Sequence, residues 1–171
     1  MSFYACTIAA TLRTQNNLYL RQMANIRLTR LFTFETAHAL LHYNGPCRRI
    51  HGHSYKLEVT VLGTPLVAEQ HPKNGMVMDF GDLKRLVQEH VVSLFDHALV
   101  LQADSPRDLI EALEKHEHRL VLTPYQPTCE NMLLDFQHRL QRALPANVTL
   151  HHLKLWETQN SFAEWYAEDN Q

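Results

Sequence analysis

Two stretches of this chain alternate with period two, and histidines sit at the facing ends of both. In IRLTRLFTFETAH, residues 26–38, Leu28, Phe32, Phe34 and His38 share one parity while Arg27, Thr29, Thr33 and Glu35 take the other; Arg30 and Leu31 blur the pattern. In HGHSYKLEVTVLG, residues 51–63, His51, His53, Tyr55, Leu57, Val59 and Val61 oppose Ser54, Lys56, Glu58 and Thr60. Such alternation marks a strand with one buried face. It also fixes where the histidines point, because His51 and His53 leave the same face of one strand and His38 is in phase with the apolar face of the other. Facing strands lie only about 4.8 Å apart, so the three imidazoles can meet at one point. The pair therefore predicts a three-histidine metal site.

Further along, DFGDLKRLVQEHVVSLFDHALVL carries apolar residues at Leu83, Leu86, Val87, Val91, Leu94 and Phe95, a helical stripe with Asp79 as its N-cap. RLVLTPY reads as extended. PTCENMLLDFQHRLQRAL restarts the helical period with Thr128 as the cap. In VTLHHLKLWET, Leu153, Leu155 and Glu157 share a strand face, which sets a carboxylate in line with apolar side chains, where it needs a partner. The order of elements predicts an α+β domain with helices on one face of an antiparallel sheet. Residues 1–22 show neither period and are expected to form an N-terminal extension, with one domain over 23–171.

Composition narrows the function. The 171 residues, 45% hydrophobic and 20% charged, make one globular domain with a sizeable core. A net charge of -2 argues against a nucleic-acid partner, and no apolar run approaches the roughly 20 residues of a membrane span. A small-molecule partner is expected. The three cysteines, Cys6, Cys47 and Cys129, form no CxxC, so neither a disulfide framework nor a thiolate zinc site is indicated, and a cytoplasmic setting fits. Of the 12 histidines, His42, His71, His90, His116, His118, His138, His151 and His152 are scattered and read as surface or partly buried residues.

Three imidazoles with an open fourth position make the kind of zinc site that does catalysis, since structural sites usually close with four protein ligands. Cys47, four residues ahead of His51, is either that fourth ligand or a base beside the metal, as a partly exposed thiolate is a competent proton acceptor. Spacing does not choose between the two.

The strings FETAHAL, CRRIHGHSY, MVMDFGDLK, FDHALV, PTCEN and LWET, in this order and spacing, resemble the family of 6-pyruvoyl-tetrahydropterin synthase and 6-carboxy-5,6,7,8-tetrahydropterin synthase, from about Arg27 to Trp165. The resemblance implies zinc held by His38, His51 and His53, Cys47 as catalytic base, and His97 relaying a proton while oriented by Asp96. It implies Glu157 as the pterin anchor and Glu130 as a second acidic position near the substrate. The implied fold is the tunnelling fold, a four-stranded antiparallel sheet with two helices, whose subunits join their sheets into a barrel as a homo-oligomer, trimers or hexamers built from them. The implied substrate is 7,8-dihydroneopterin triphosphate. One branch releases acetaldehyde and triphosphate to give the 6-carboxy product of queuosine-type synthesis, and is the expected one; the 6-pyruvoyl branch keeps all the carbons. A folate-related branch has glutamate where this chain has Cys47. A catalytically silent metal- or pterin-binding protein is the alternative outside enzymes, and a binder needs no base.

Overall fold

The computed structural model describes residues 24–171, so the expected extension over 1–22 lies outside the described residues. Strands β1 (Ile26–His38) and β2 (His51–Gly63) pair antiparallel along their whole length, from Ile26 opposite Gly63 to His38 opposite His51. Strand parity is as the alternation requires: Phe32, Phe34, Thr36 and His38 are buried on β1, whereas Leu31 lies on the other face and is exposed. On β2 Tyr55, Leu57, Val59 and Val61 are buried, as is Thr60 of the other parity, whose hydroxyl pairs with that of Thr29 at 2.8 Å.

After β2 the chain forms α1 (Phe80–Val87), which runs through a π-helical turn, Gln88–Val92, into a short turn, Ser93–Phe95. Asp79 caps α1, its carboxylate accepting the Gly81 N–H at 2.6 Å. The wide turn shifts the buried stripe by a residue: Val92 is buried along with Leu83, Val87, Val91 and Phe95, while Leu94 is exposed. Strand β3 (Ala98–Gln102), helix α2 (Arg107–Lys115) and strand β4 (Leu120–Thr123) follow, then α3 (Cys129–Ala143), β5 (Val148–Trp156) and β6 (Phe162–Tyr166). Thr128 caps α3 by accepting the Asn131 N–H.

The sheet order is β4-β3-β1-β2-β5-β6. Within it, β1, β2, β5 and β6 are the four-stranded antiparallel meander. Two short strands extend it in parallel, β3 beside the last three residues of β1 and β4 beside β3. Helices α1 and α3 cover one face, and Leu83, Val87, Phe95, Met132, Phe136 and Leu140 close the core against Phe34, Tyr55, Leu57 and Leu153. Fully burying a side chain of this kind contributes about 1.5–3 kcal/mol, so this layer dominates the fold's stability. Three elements were not expected. Strand β3 is buried at Ala98 through Leu101 without alternation, as a parallel strand covered on both faces must be, and its sequence is inseparable from the helical run before it. Helix α2 has no buried residue and β6 is a five-residue edge strand, so neither leaves a strong periodic signal.

Candidate active site

His38 and His51 face one another at the end of the β1–β2 ladder, and His53 stands opposite Thr36. The intervening Gly52 is where the strands come close: a Cβ there would lie 3.3 Å from the Thr36 carbonyl oxygen. Ring centroids are 4.6 Å apart for His38 and His51, 5.2 Å for His38 and His53, and 5.0 Å for His51 and His53. One ligand atom from each lies within 4.8 Å of the others, so the group could hold a metal ion.

Backbone carbonyls select the tautomers. His38 Nδ1 sits 2.7 Å from the Pro127 carbonyl oxygen and His51 Nδ1 2.8 Å from that of Arg49, so each Nδ1–H donates and each Nε2 keeps its lone pair. The Nε2 atoms of His38 and His53 are buried without a hydrogen-bond partner among the described residues. Such orphans are costly in a folded protein, and a cation is the partner that a converging set of lone pairs fits. Burial lowers the pKa of His38, with the His51 and His53 rings adding to the effect against the Pro127 carbonyl and Glu157; burial also lowers that of His53. Both are therefore neutral near pH 7, the form a metal needs.

Glu157 follows β5, with Oε1 3.7 Å from His38 Nε2 and accepting the Tyr55 hydroxyl at 3.3 Å. Tyr55 is fully buried, and its hydroxyl pKa is driven up by burial and by the Glu157 carboxylate. It lies two residues beyond His53 in the same phase; alternation marked the position as apolar and said nothing of its hydroxyl. Cys47 is in the 3-10 turn Pro46–Arg48, half-buried, and its carbonyl accepts the Leu40 N–H at 2.9 Å, which draws the loop back to the end of β1. Glu130 is exposed in the first turn of α3 and makes no hydrogen bond among the described residues. The other cysteine in this region, Cys129, donates to the Leu155 carbonyl at 3.3 Å, and burial pushes its thiol up to about 12.

Asp96 and His97 are not members of the three-histidine group, although His53 and His97 line one cavity. Asp96 Oδ1 is 2.9 Å from His97 Nδ1 and accepts the Glu35 N–H at 3.0 Å. That backbone bond, then the His97 ring and Arg119, hold the Asp96 carboxyl below the usual carboxylate range against the opposing effect of burial. His97 takes a left-handed backbone conformation, φ 57°, and its side chain is 76% exposed. It opens with Glu35, Ser54 and Arg119 into a cavity of about 420 Å³; Glu35 and Ser54 belong to the sheet face that the helices leave open.

An antiparallel meander with two helices on one face is the tunnelling fold, here ending in three imidazoles placed to take a metal. Residues 27–168 match the family model described as 6-pyruvoyl tetrahydropterin synthase. A 6-carboxy-5,6,7,8-tetrahydropterin synthase of Haemophilus influenzae is 30% identical over 141 residues, covering 81% of this chain and 97% of its own. A 6-pyruvoyl tetrahydrobiopterin synthase of Pongo abelii is 33% identical over 120 residues, 69% of this chain and 67% of its own. Among solved structures, that of an uncharacterized Wolinella succinogenes protein superposes with a TM-score of 0.66 at 21% identity, covering 84% of this chain and 99% of that one. The chain belongs to the 6-pyruvoyl tetrahydropterin synthase family, a family of enzymes.

Proposed function

We propose that this protein is a zinc-dependent lyase that converts 7,8-dihydroneopterin triphosphate and one water to 6-carboxy-5,6,7,8-tetrahydropterin, with release of acetaldehyde and triphosphate, in queuosine-type synthesis in the cytoplasm. The observation that carries the reading is the convergence of His38, His51 and His53, two of them with buried unpartnered Nε2 atoms, beside the Glu157 carboxylate. The 6-carboxy product is favoured because the Haemophilus relative of that name matches over nearly its whole length, the Pongo 6-pyruvoyl relative over 67% of its own.

His38, His51 and His53 would hold the zinc, which when bound acts as a Lewis acid toward side-chain oxygens of the substrate. Glu157 accepts two parallel hydrogen bonds from the N–H edge of the pterin, and the Tyr55 hydroxyl steadies the carboxylate for that task. Glu130, exposed at the start of α3, is placed to make a second acidic contact. Cys47 removes a side-chain proton as general base. His97, oriented through Nδ1 by Asp96, moves another.

The opening of the Asp96–His97 pair beside Glu35 and Ser54, on the sheet face that the helices leave open, supports a homo-oligomer with shared sites, in which this pair on one subunit serves the Cys47 loop of the next. The free edges agree. Among the described residues β3 pairs with β1 only at Thr36–His38, so most of β1 has no strand partner there on that edge, and β6 ends the sheet at the other side. Edges of this kind invite strand pairing, and closure between copies removes them.

The test is incubation of zinc-loaded protein with 7,8-dihydroneopterin triphosphate and identification of the product by mass. A 6-carboxy pterin with equimolar acetaldehyde and triphosphate is expected. A 6-pyruvoyl pterin moves the protein to the other branch, and pterin binding without triphosphate release removes the enzyme reading.

A further inference from the structure

The turn that carries His97 has no cap of the usual kind. The last carbonyls of a helix need donors, and a helix that stops in a left-handed residue generally uses glycine there. After Phe95 the chain instead goes extended at Asp96 and left-handed at His97, a conformation uncommon outside glycine that costs free energy unless its surroundings hold it. Four tethers do so. The Glu35 N–H donates to Asp96 Oδ1, the His97 N–H donates to the Glu35 carbonyl at 2.6 Å, the Thr36 hydroxyl donates to the Phe95 carbonyl at 2.7 Å, and the Arg119 guanidinium donates to the carbonyls of Ser93 and Asp96, the latter at 3.2 Å. The first three come from β1 on one side of the turn. Among the described residues, Arg119 is the side chain that reaches it from the β4 side.

The route by which Arg119 arrives is itself informative. It stands at the head of β4, after the β3–α2–β4 excursion, and its carbonyl accepts the Leu99 N–H at 2.8 Å, which locks its backbone to β3. The excursion packs a small satellite cluster, Ala39, Leu99 and Leu101 with Leu109, Leu113 and Leu120. To the main core it adds Val100, with Val121 packed against it. What it does place is a five-donor fork on the two carbonyls that flank the Asp96–His97 turn, with the guanidinium and the imidazole lining the same 420 Å³ cavity.

We infer that Arg119 is a positioning residue: by holding the Ser93 and Asp96 carbonyls it keeps the strained His97 turn in one geometry, so that the imidazole presents a fixed edge to that cavity. The inference rests on the proposed role of the Asp96–His97 pair in proton transfer. Loss of the fork lets the turn relax toward an ordinary helical or extended conformation, and a misplaced relay is costly because proton transfer depends on sub-ångström placement.

The test uses the zinc-loaded full-length protein with Arg119→Gln and Arg119→Lys. In Arg119→Gln, kcat is expected to fall roughly 10- to 100-fold with KM within about twofold, and the lysine variant to recover part of the loss because an ammonium can still donate to one carbonyl. Amide hydrogen exchange over residues 93–98 is expected to speed at least about tenfold in Arg119→Gln, with residues 80–87 unchanged. Unchanged exchange at 93–98 overturns the inference, as does unchanged kcat with faster exchange, or faster exchange throughout the chain, which makes Arg119 a general structural residue. Parent protein that turns over no pterin would sink the reading of the site, while the exchange comparison still decides whether Arg119 holds the turn.

Discussion

Removing metal from the histidine cluster should show as a loss of folding stability whose size follows from the site. His38 is 1% exposed, and its Nε2 and that of His53 have no partner among the described residues. A buried polar atom left unpaired costs about 1–3 kcal/mol, so the metal-free fold carries roughly 2–6 kcal/mol of strain that a bound cation relieves. That relief is part of the binding free energy, and the observable follows by linkage: zinc at about a thousandfold excess over its Kd adds about 4 kcal/mol to the folded state. For a chain of this length each 1 kcal/mol moves the unfolding midpoint by about 2–4 °C, which predicts a rise of roughly 8–16 °C. The assay is thermal unfolding of chelator-treated protein with and without zinc, repeated on His51→Ala, in which the shift should shrink to a few degrees. The pH dependence of the metal-free protein has a definite sign. Burial holds the folded His38 and His53 below 6.5, so the unfolded chain takes up protons first. Stability is then full above about pH 6.5 and falls as pH drops from there toward the depressed folded values. Equal midpoints with zinc and with chelator would refute the reasoning, since buried converging lone pairs would then have no affinity for the cation.

Tyr55→Phe should keep its zinc while KM rises about 10- to 100-fold, because the lost hydroxyl is a hydrogen bond to a charged group worth about 1.5–3 kcal/mol; steady-state kinetics with elemental analysis checks it, and an unchanged KM removes the hydroxyl from substrate anchoring. Light scattering should give a mass several times the 19.9 kDa of one chain, and a monomer at working concentrations would contradict shared sites.

The features legible in the sequence are those written in a single period. Alternation on β1 and β2 gave the facing strands and set His38, His51 and His53 on one face, because a period of two leaves each side chain only two directions. The caps at Asp79 and Thr128 were legible because an N-cap needs a particular side chain at a particular place. What escaped lacks such a signature. The π-helical turn at Gln88–Val92 changes the period without a marker residue, and Ala98–Leu101 is a strand buried on both faces, whose apolar run continues that of the helix. Arg119 binds carbonyls contributed by residues more than twenty positions away, and backbone partners leave no trace in side-chain identity. Tyr55 was visible as part of the apolar face, but its bond to Glu157 spans 102 residues and depends on the register of β2 with β5.

The central claim is that Cys47 moves a proton beside a zinc held by three histidines and is not itself a ligand. The measurement that tests it most directly is zinc content together with turnover of 7,8-dihydroneopterin triphosphate in Cys47→Ala. Three imidazoles already supply a complete open site, so zinc should remain near the parent level while turnover falls roughly 10²- to 10⁴-fold, the loss typical of a general base. His53→Ala, measured alongside, should lose both. Zinc that leaves with the thiol would make Cys47 a ligand, and a zinc-loaded Cys47→Ala protein with undiminished turnover would contradict the assignment outright.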